Sequence, residues 1–292
     1  MVIYVKRYED INMTPKLKIL HYDFNDPNGV EVDASNNVTR VLDLSNTRDH
    51  ASAVNVKFEQ ALKNGKYVYV GRFNKSNIFS EKSQQILPKR YYIKMVLQIH
   101  NKYDSYFLDT TGRKSDGMSM WFNSYYGPQL GVRSRTSTNS FNNEIKVNTN
   151  FNYNDFITVE YINNNTIGEK SFLAINDIKV GEVTNTDDSI NHTTILSIGA
   201  TLDRGLYLDG RIQSIEIYDL DKISISLIKT KDNKHFTFIG DQLTIVPESE
   251  TSEDKLFETI KTKGFSGSTP ERMQAIQKDL PYSEFSLVTL EL

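Results

Sequence analysis

Residues 195–219 read ILSIGATLDRGLYLDGRIQSIEIYD and contain the clearest β-strand pattern of the chain. Ile215 and Ile217 alternate there with Glu216 and Tyr218. Because successive side chains of a strand point to opposite faces of a sheet, this alternation predicts a strand with one apolar and one polar face. The apolar face is expected to cover part of a hydrophobic core.

Short apolar runs of the same kind recur over residues 18–221, separated by clusters of Asn, Asp, Gly and Ser. This spacing is typical of an antiparallel β-sandwich, and helical periodicity is nearly absent there. The predicted strands are residues 66–73, 91–99, 119–122, 130–135, 156–162, 171–175, 178–183, 194–198 and 211–218. The predicted core includes Val159, Leu173, Ile198, Ile212, Ile215 and Ile217.

One hairpin can be predicted in detail. Residues 172–183 read FLAI-ND-IKVGEV, with two apolar runs on either side of Asn176 and Asp177. Asn and Asp tolerate the positive φ that a tight two-residue turn requires. We therefore expect the turn at these two residues.

Composition narrows the classes of function. The 34 basic residues are scattered among 37 acidic ones, so no basic stripe exists and we expect no nucleic-acid partner. There is no cysteine, which excludes disulfides and thiolate metal sites. No apolar run reaches the roughly 18 residues of a membrane-spanning helix. The N-terminal sequence MVIYVKRYEDINM does not have the pattern of a signal peptide, so we expect neither export by that route nor a membrane partner.

Four segments carry a family resemblance. They are HYDFNDPNG at residues 21–29, VLDLSNTRDHASA at 41–53, NDFITVEYINN at 154–164 with KSFLAINDIKVGEV at 170–183, and the stretch 195–219. In this order they resemble the concanavalin A-like and laminin G-like jelly-roll superfamily. The last segment looks like its closing signature: an Ile-Gly strand end, an aromatic-x-Asp-Gly turn and an alternating strand. The resemblance implies two stacked antiparallel sheets, with ligands on the concave face or a rim, and it implies no particular reaction.

The regions outside residues 18–221 have a different character. Residues 1–17 are expected to form an N-terminal arm, and residues 222–292 a short α/β extension that serves assembly. The extension reads as a hairpin, KISISLIK and HFTFIG, followed by two short helices at residues 252–263 and 269–278. The chain ends in FSLVTLEL, a strand that would leave an unprotected edge unless it is paired. It could pair with the chain's own sandwich or with another chain, and we expect the second.

A glycan hydrolase of the same fold is the main catalytic alternative. Hydrolases of this superfamily carry E-x-D-x-x-E, because a retaining glycosidase needs two carboxyl groups about 5 Å apart. The nearest match here is Glu31, Asp33 and Asn36. Asn36 cannot transfer the catalytic proton, so we predict that the protein is not an enzyme and has no catalytic residues.

Metal binding has weak support in the sequence, and we expect no cofactor. Asp203, Asp209 and Asp219 are candidate calcium ligands, since many laminin G-like modules bind calcium at a rim loop. An Asp before a Gly in a turn is also explained by turn chemistry. The metal site therefore stays unassigned, and the histidines show no ligand spacing: His21, His50, His100, His192 and His235.

The most suggestive binding segment is MSMWFNSYYGPQLGVRSR at residues 118–135. Trp and Tyr present flat faces to a sugar ring or to a partner's apolar surface, and Arg can form paired hydrogen bonds with a phosphate or carboxylate. Trp121 fits a core position equally well. The candidate ligand-binding residues are Trp121, Tyr125, Tyr126, Arg133 and Arg135.

We expect a structural and adhesive protein of a virion, in the tail or baseplate of a phage of a Gram-positive host, synthesised in the host cytoplasm. A lectin-like sandwich, the missing export signal and the C-terminal extension favour this assignment. The expected partners are other virion proteins and host cell-wall polysaccharide or teichoic acid, in an oligomeric assembly. Two alternatives stay open: a glycan-cleaving hydrolase of the same fold, and a free bacterial carbohydrate-binding module.

Replacing Tyr125 and Tyr126 together by Ala is predicted to weaken binding to cell-wall fragments without unfolding the protein. Aromatic side chains that stack at a contact are commonly worth about 1 to 3 kcal/mol. Binding can be measured by co-sedimentation with wall fragments and folding by thermal melting. Unchanged binding of the double variant, both to wall fragments and to neighbouring proteins, would refute the assignment of these tyrosines.

Overall fold

The structure is a computed structural model of the chain. It describes residues 16–45, 48–81, 87–100, 104–111, 117–123, 128–135, 141–149, 152, 154–164, 166–186, 195–201, 205–229, 235–239, 242–246 and 286–291. Side chains are described up to residue 220, except those of residues 16, 17, 135, 141 and 142.

Strands make up the regular structure of these ranges, which include no helix and hence none able to cross a membrane. The strands are β1 Lys16–Asp23, β2 Val30–Val32, β3 Val38–Val41, β4 Ala51–Val54, β5 Lys57–Lys63, β6 Lys66–Phe73, β7 Asn77–Ser80, β8 Arg90–Ile99, β9 Ser105–Asp109, β10 Gly117–Asn123, β11 Gln129–Arg135, β12 Phe141–Asn148, β13 Phe156–Asn164, β14 Lys170–Ile175, β15 Ile178–Thr184, β16 Ser197–Ile198, β17 Gly210–Lys229, β18 His235–Ile239, β19 Gln242–Val246 and β20 Ser286–Glu291.

The strands form two antiparallel sheets. In the first sheet the order is β15, β14, β13, β8, β17, β18, β19; β1, β6 and β20 also pair with β17, and β5 pairs with β6. The second sheet has nine strands in the order β12, β11, β10, β9, β16, β7, β4, β3, β2. The predicted all-β antiparallel sandwich is thereby confirmed.

The core is built from the inward-facing residues of both sheets. In the first sheet Ile215 pairs with Met95 and Ile217 with Ile93, and all four are fully buried. The six core residues predicted from the sequence are buried as expected: Val159, Leu173, Ile198, Ile212, Ile215 and Ile217.

A β-bulge on β17 explains how its core isoleucines all reach the buried face of the sheet. Ile212 and Ile215 are three residues apart, so a regular strand would turn them to opposite faces. Ile212 pairs with Leu97 while Ser214 pairs with the next residue along β8, Val96, which leaves Gln213 as the extra residue. The bulge returns Ile215 to the buried face.

One turn agrees with its sequence pattern, and one buried carboxylate connects the two sheets. Asn176 and Asp177 have φ of 49° and 65°, which confirms the predicted two-residue turn between β14 and β15. Asp43 has no exposed surface, and its carboxylate accepts hydrogen bonds from the backbone N–H groups of His21, Ser45 and Asp49 and from the Ser45 hydroxyl. Four donors compensate the burial of the charge. Asp43 thus ties β1 of the first sheet to the segment after β3 of the second.

The chain divides into two compact units, one with Lys18–Asp219 and one with Leu220–Leu292. The second half of β17 pairs with β18, as the hairpin prediction required, and β18 pairs with β19. The two predicted helices, residues 252–263 and 269–278, lie outside the described residues.

The expected pairing of the C-terminal strand with another chain is wrong in this structure. β20 pairs with β17 of the same chain, from Ser224 opposite Glu291 to Lys229 opposite Ser286. The physical reason is the length of β17, which continues ten residues beyond Asp219 and offers a free edge to the strand.

Replacing Ile217 by Asp is predicted to destabilise the protein by several kcal/mol, because the position is fully buried and offers a charge no partner. The midpoint of urea unfolding measures the loss. Ile178→Asp is the matched control, because Ile178 is 51% exposed on β15. An equal midpoint for Ile217→Asp and the unmodified protein would show that β17 has been placed in the wrong register.

Candidate functional site

The candidate site lies on the outward face of the nine-stranded sheet, on β9 to β12. In β10, Met118, Met120 and Phe122 belong to the hydrophobic core. The alternate residues Ser119 and Trp121 therefore lie on the opposite face of the sheet. Trp121 is 6% exposed, yet it is not part of the core cluster.

Strand register places four residues in one row across this face. Trp121 pairs with Tyr106 of β9 on one side and with Gly131 of β11 on the other, and Gly131 pairs with Lys146 of β12. A Cβ atom on Gly131 would overlap the six-membered ring of the Trp121 indole. The indole therefore lies over Gly131, and the Lys146 ammonium is 5.7 Å from the indole centroid.

Arg133 forms the second part of the site. It lies on β11 opposite Ser119, two residues after Gly131 and hence on the same face. Its Nε donates to the Ser119 hydroxyl at 3.2 Å, and its Nη2 donates to the Tyr106 hydroxyl at 2.6 Å. The guanidinium carbon is 5.8 Å from the Tyr106 ring centroid. Arg133 is half-buried, so these contacts fix its orientation while part of it faces solvent.

The indole of Trp121 forms the floor of this site and is not an open stacking platform. Its edge nitrogen Nε1 is buried and has no hydrogen-bond partner among the described residues. A buried indole N–H usually finds an acceptor. The sequence left open whether Trp121 is a ligand contact or a core residue. In the structure it lies on the outward face of the sheet, outside the core cluster.

The other predicted binding residues are only partly covered by the structure. Tyr125 and Tyr126 lie outside the described residues. Arg135 is the last residue of β11, opposite Gly117, and its side chain is not described. Tyr106 and Lys146 were not predicted as site residues. They lie near Trp121 only because of the register of the four strands β9 to β12.

The carboxyl groups of the nearest hydrolase match have structural roles. Glu31 lies on β2, 3.9 Å from Arg40. Asp33 lies in the following turn, where its carboxylate accepts hydrogen bonds from the backbone N–H groups of Ser35 and Asn37 and from the Asn37 amide. These bonds, chiefly those from Asn37, lower the pKa of Asp33. The arrangement stabilises a turn, whose left-handed residue is Asn36.

Metal ligands do not cluster in the described part of the chain. No group of three or more His, Asp or Glu residues there could hold an ion. The Asp209 carboxylate is 2.7 Å from Arg72, and Asp219 is 4% exposed on β17 opposite Tyr91. Asp203, the third candidate calcium ligand, lies outside the described residues.

Comparison with known proteins identifies the fold. No known protein family and no curated protein matches the sequence. A point mutant of HCR D/C VPI 5995 is 12% identical with a TM-score of 0.50, over 78% of this chain and 62% of that chain. Domain 4 of AbnA, a GH43 extracellular arabinanase from Geobacillus stearothermophilus in complex with arabinotriose, is 12% identical with a TM-score of 0.46, over 70% of this chain and 93% of that chain. The CBM40 of Ruminococcus gnavus IT-sialidase is 12% identical with a TM-score of 0.37, over 44% and 75%. At 12% identity, the similarity to the HCR D/C VPI 5995 mutant shows the fold alone.

Replacing Gly131 by Val is predicted to displace the indole of Trp121 from its seat. The added methyl groups would overlap the ring, which costs about 1 to 3 kcal/mol and exposes the indole to water. Trp121 is the chain's one tryptophan, so intrinsic fluorescence reports this position alone. We expect a red-shifted emission and stronger quenching by iodide. Ser119→Ala, on the same face, is the control, and an unchanged emission of Gly131→Val would contradict the described geometry.

Proposed function

We propose that the protein is a non-catalytic glycan-binding module. Its binding surface, the glycan face, is defined by Tyr106, Ser119, Trp121, Arg133 and Lys146. The observation that carries the proposal is the row of Tyr106, Trp121, Gly131 and Lys146, flanked by Arg133. Such a surface joins the aromatic ring of Tyr106 to hydrogen-bond donors, which is what a sugar ring with its hydroxyl groups requires.

The charges of the glycan face favour an acidic glycan. Arg133 and Lys146 contribute two cations, and guanidinium groups suit the oxygens of phosphate and carboxylate. On the same face Glu144 is exposed, whereas Asp109 is 1% exposed and accepts hydrogen bonds from Thr111. We therefore propose teichoic acid, a phosphate-containing polymer of Gram-positive walls, as the ligand class.

Replacing Arg133 and Lys146 together by Gln is predicted to weaken binding to immobilised wall teichoic acid by about tenfold or more, since charge-assisted hydrogen bonds are worth about 1.5 to 3 kcal/mol each. Biolayer interferometry measures the change. Lys170→Gln is the control, because Lys170 lies on β14 and its ammonium pairs with Glu182. Binding of the unmodified protein should also weaken as salt increases.

Three outcomes would contradict the proposal. If teichoic acid does not bind, or if the double variant binds as tightly as the control, the glycan face is not the site. If incubation with wall polysaccharide produces new reducing ends, the protein is a hydrolase and the non-catalytic assignment fails.

The setting that we propose is the tail or baseplate of a phage, where wall-glycan binding would serve host attachment. What supports it is the division of the chain, since Leu220–Leu292 form a separate unit that includes no residue of the glycan face. Such a unit is suited to contacts with other virion proteins. Mass spectrometry of purified virions distinguishes this setting from a free bacterial carbohydrate-binding module, which would be absent from the particle.

A further inference from the structure

A polar cleft is lined by residues of the first sheet and of its turns. It has a volume of about 400 Å³, within the roughly 300 to 1,000 Å³ of small-ligand sites. Its walls come from three places: the turn between β5 and β6, the residues before β13, and the turn between β14 and β15. None of its lining residues belongs to the glycan face.

Unused amide groups line this cleft. Asn64, Asn152, Asn154 and Asn176 all contribute to it and are all exposed. The Asn176 side-chain oxygen accepts the N–H of Thr158. In the described part of the chain, the side chains of the other three make no hydrogen bond. Each of these three amides has two N–H donors and an acceptor oxygen, which match the hydroxyl groups of a sugar.

The charges of the cleft are balanced. Lys63 is the one cation among its lining residues, and Asp155 is the one anion. The Lys63 ammonium donates to the side-chain oxygen of Gln213 at 2.6 Å and lies 5.8 Å from the Phe156 ring centroid. A charged ligand would gain little here. The cleft therefore suits a neutral ligand, unlike the glycan face with its two cations.

An exposed aromatic surface begins at the edge of the cleft. Leu62 lines the cleft and pairs with Tyr67, which is 74% exposed. Tyr69 lies two residues further along β6 on the same face and is 43% exposed. Its ring stacks on Phe58, with centroids 5.0 Å apart and an angle of 6° between the planes. Alternate residues of a strand are about 6.6 to 6.8 Å apart, so the two tyrosines offer successive contacts to an extended chain.

We propose that this cleft and the two tyrosines form a second binding site, which takes a neutral, hydroxyl-rich oligosaccharide. The amides of Asn64, Asn152 and Asn154 bind hydroxyl groups of the first sugar, and Tyr67 and Tyr69 contact the following ones. A protein partner would leave the free amides without a role, whereas a sugar uses both the amides and the aromatic rings. The site is independent of the glycan face in residues and in ligand charge.

Two variants remove the proposed contacts and keep the backbone. Asn64 and Asn154 have φ of 50° and 73°, which glycine adopts readily, so Asn64→Gly with Asn154→Gly deletes two amides without strain. Tyr67→Ala removes the most exposed ring. Val180→Ala is the matched control for the tyrosine, since Val180 is an exposed apolar residue on another strand, β15.

The full-length chain is tested on an array of neutral gluco-, manno-, arabino- and chito-oligosaccharides. At least one should bind, with affinity reduced about tenfold in the double asparagine variant and in Tyr67→Ala, as expected for the loss of two hydrogen bonds or one stacked ring. Val180→Ala and the Arg133 and Lys146 double variant should bind normally. Trp121 fluorescence should change with teichoic acid and stay constant with the neutral sugar.

Each opposite result overturns the proposal of a second site. These results are that no neutral oligosaccharide binds, that the cleft variants bind as tightly as the control, or that the neutral sugar loses affinity only with the glycan-face variant. If Tyr67→Ala changes only the sedimentation coefficient of the protein, the aromatic surface is a contact between protein chains. None of these results affects the test with teichoic acid.

Discussion

The architecture depends on the register between β8 and β17. These neighbouring strands of the first sheet pair along nine positions, and their inward side chains are fully buried. A shift by one residue would turn Ile215 and Ile217 towards solvent and bring Glu216 into the core. The bulge at Gln213 is part of the same constraint, because it lets Ile212 share the buried face.

The two proposed sites use the sandwich in different ways. On the nine-stranded sheet, the side chains of Met118 and Met120 point into the core, so those of Ser119 and Trp121 point outward. The same alternation of side chains along β10 therefore builds both the core and the glycan face. The cleft instead uses turns, where left-handed asparagines such as Asn64 and Asn154 combine a backbone role with a free side chain. A rigid sheet and short turns both hold polar groups in place before a ligand arrives.

Much of the fold could be predicted from the sequence, because a period of two residues is visible in single strands such as β17. The Asn176–Asp177 turn was predictable for the same local reason. The site was only partly predictable, since its row joins strands whose register no local pattern specifies. Lys146 lies on β12, an asparagine-rich strand that hydrophobic alternation did not identify, and the role of Gly131 beneath Trp121 is visible only when β10 and β11 are paired. β20 was predicted as a strand but with the wrong partner, because the length of β17 was not foreseen.

The outer strand β15 shows how an all-β protein with exposed apolar residues avoids growing into fibres. Ile178 and Val180 are exposed on this edge, and an open edge of this kind is a template for another chain. The strand is interrupted by a register shift opposite Leu173 and Ala174. Glu182 is held there by the ammonium groups of Lys170 and Lys179, so an approaching strand would have to bury charges. Irregular geometry and fixed charge together oppose edge-to-edge aggregation.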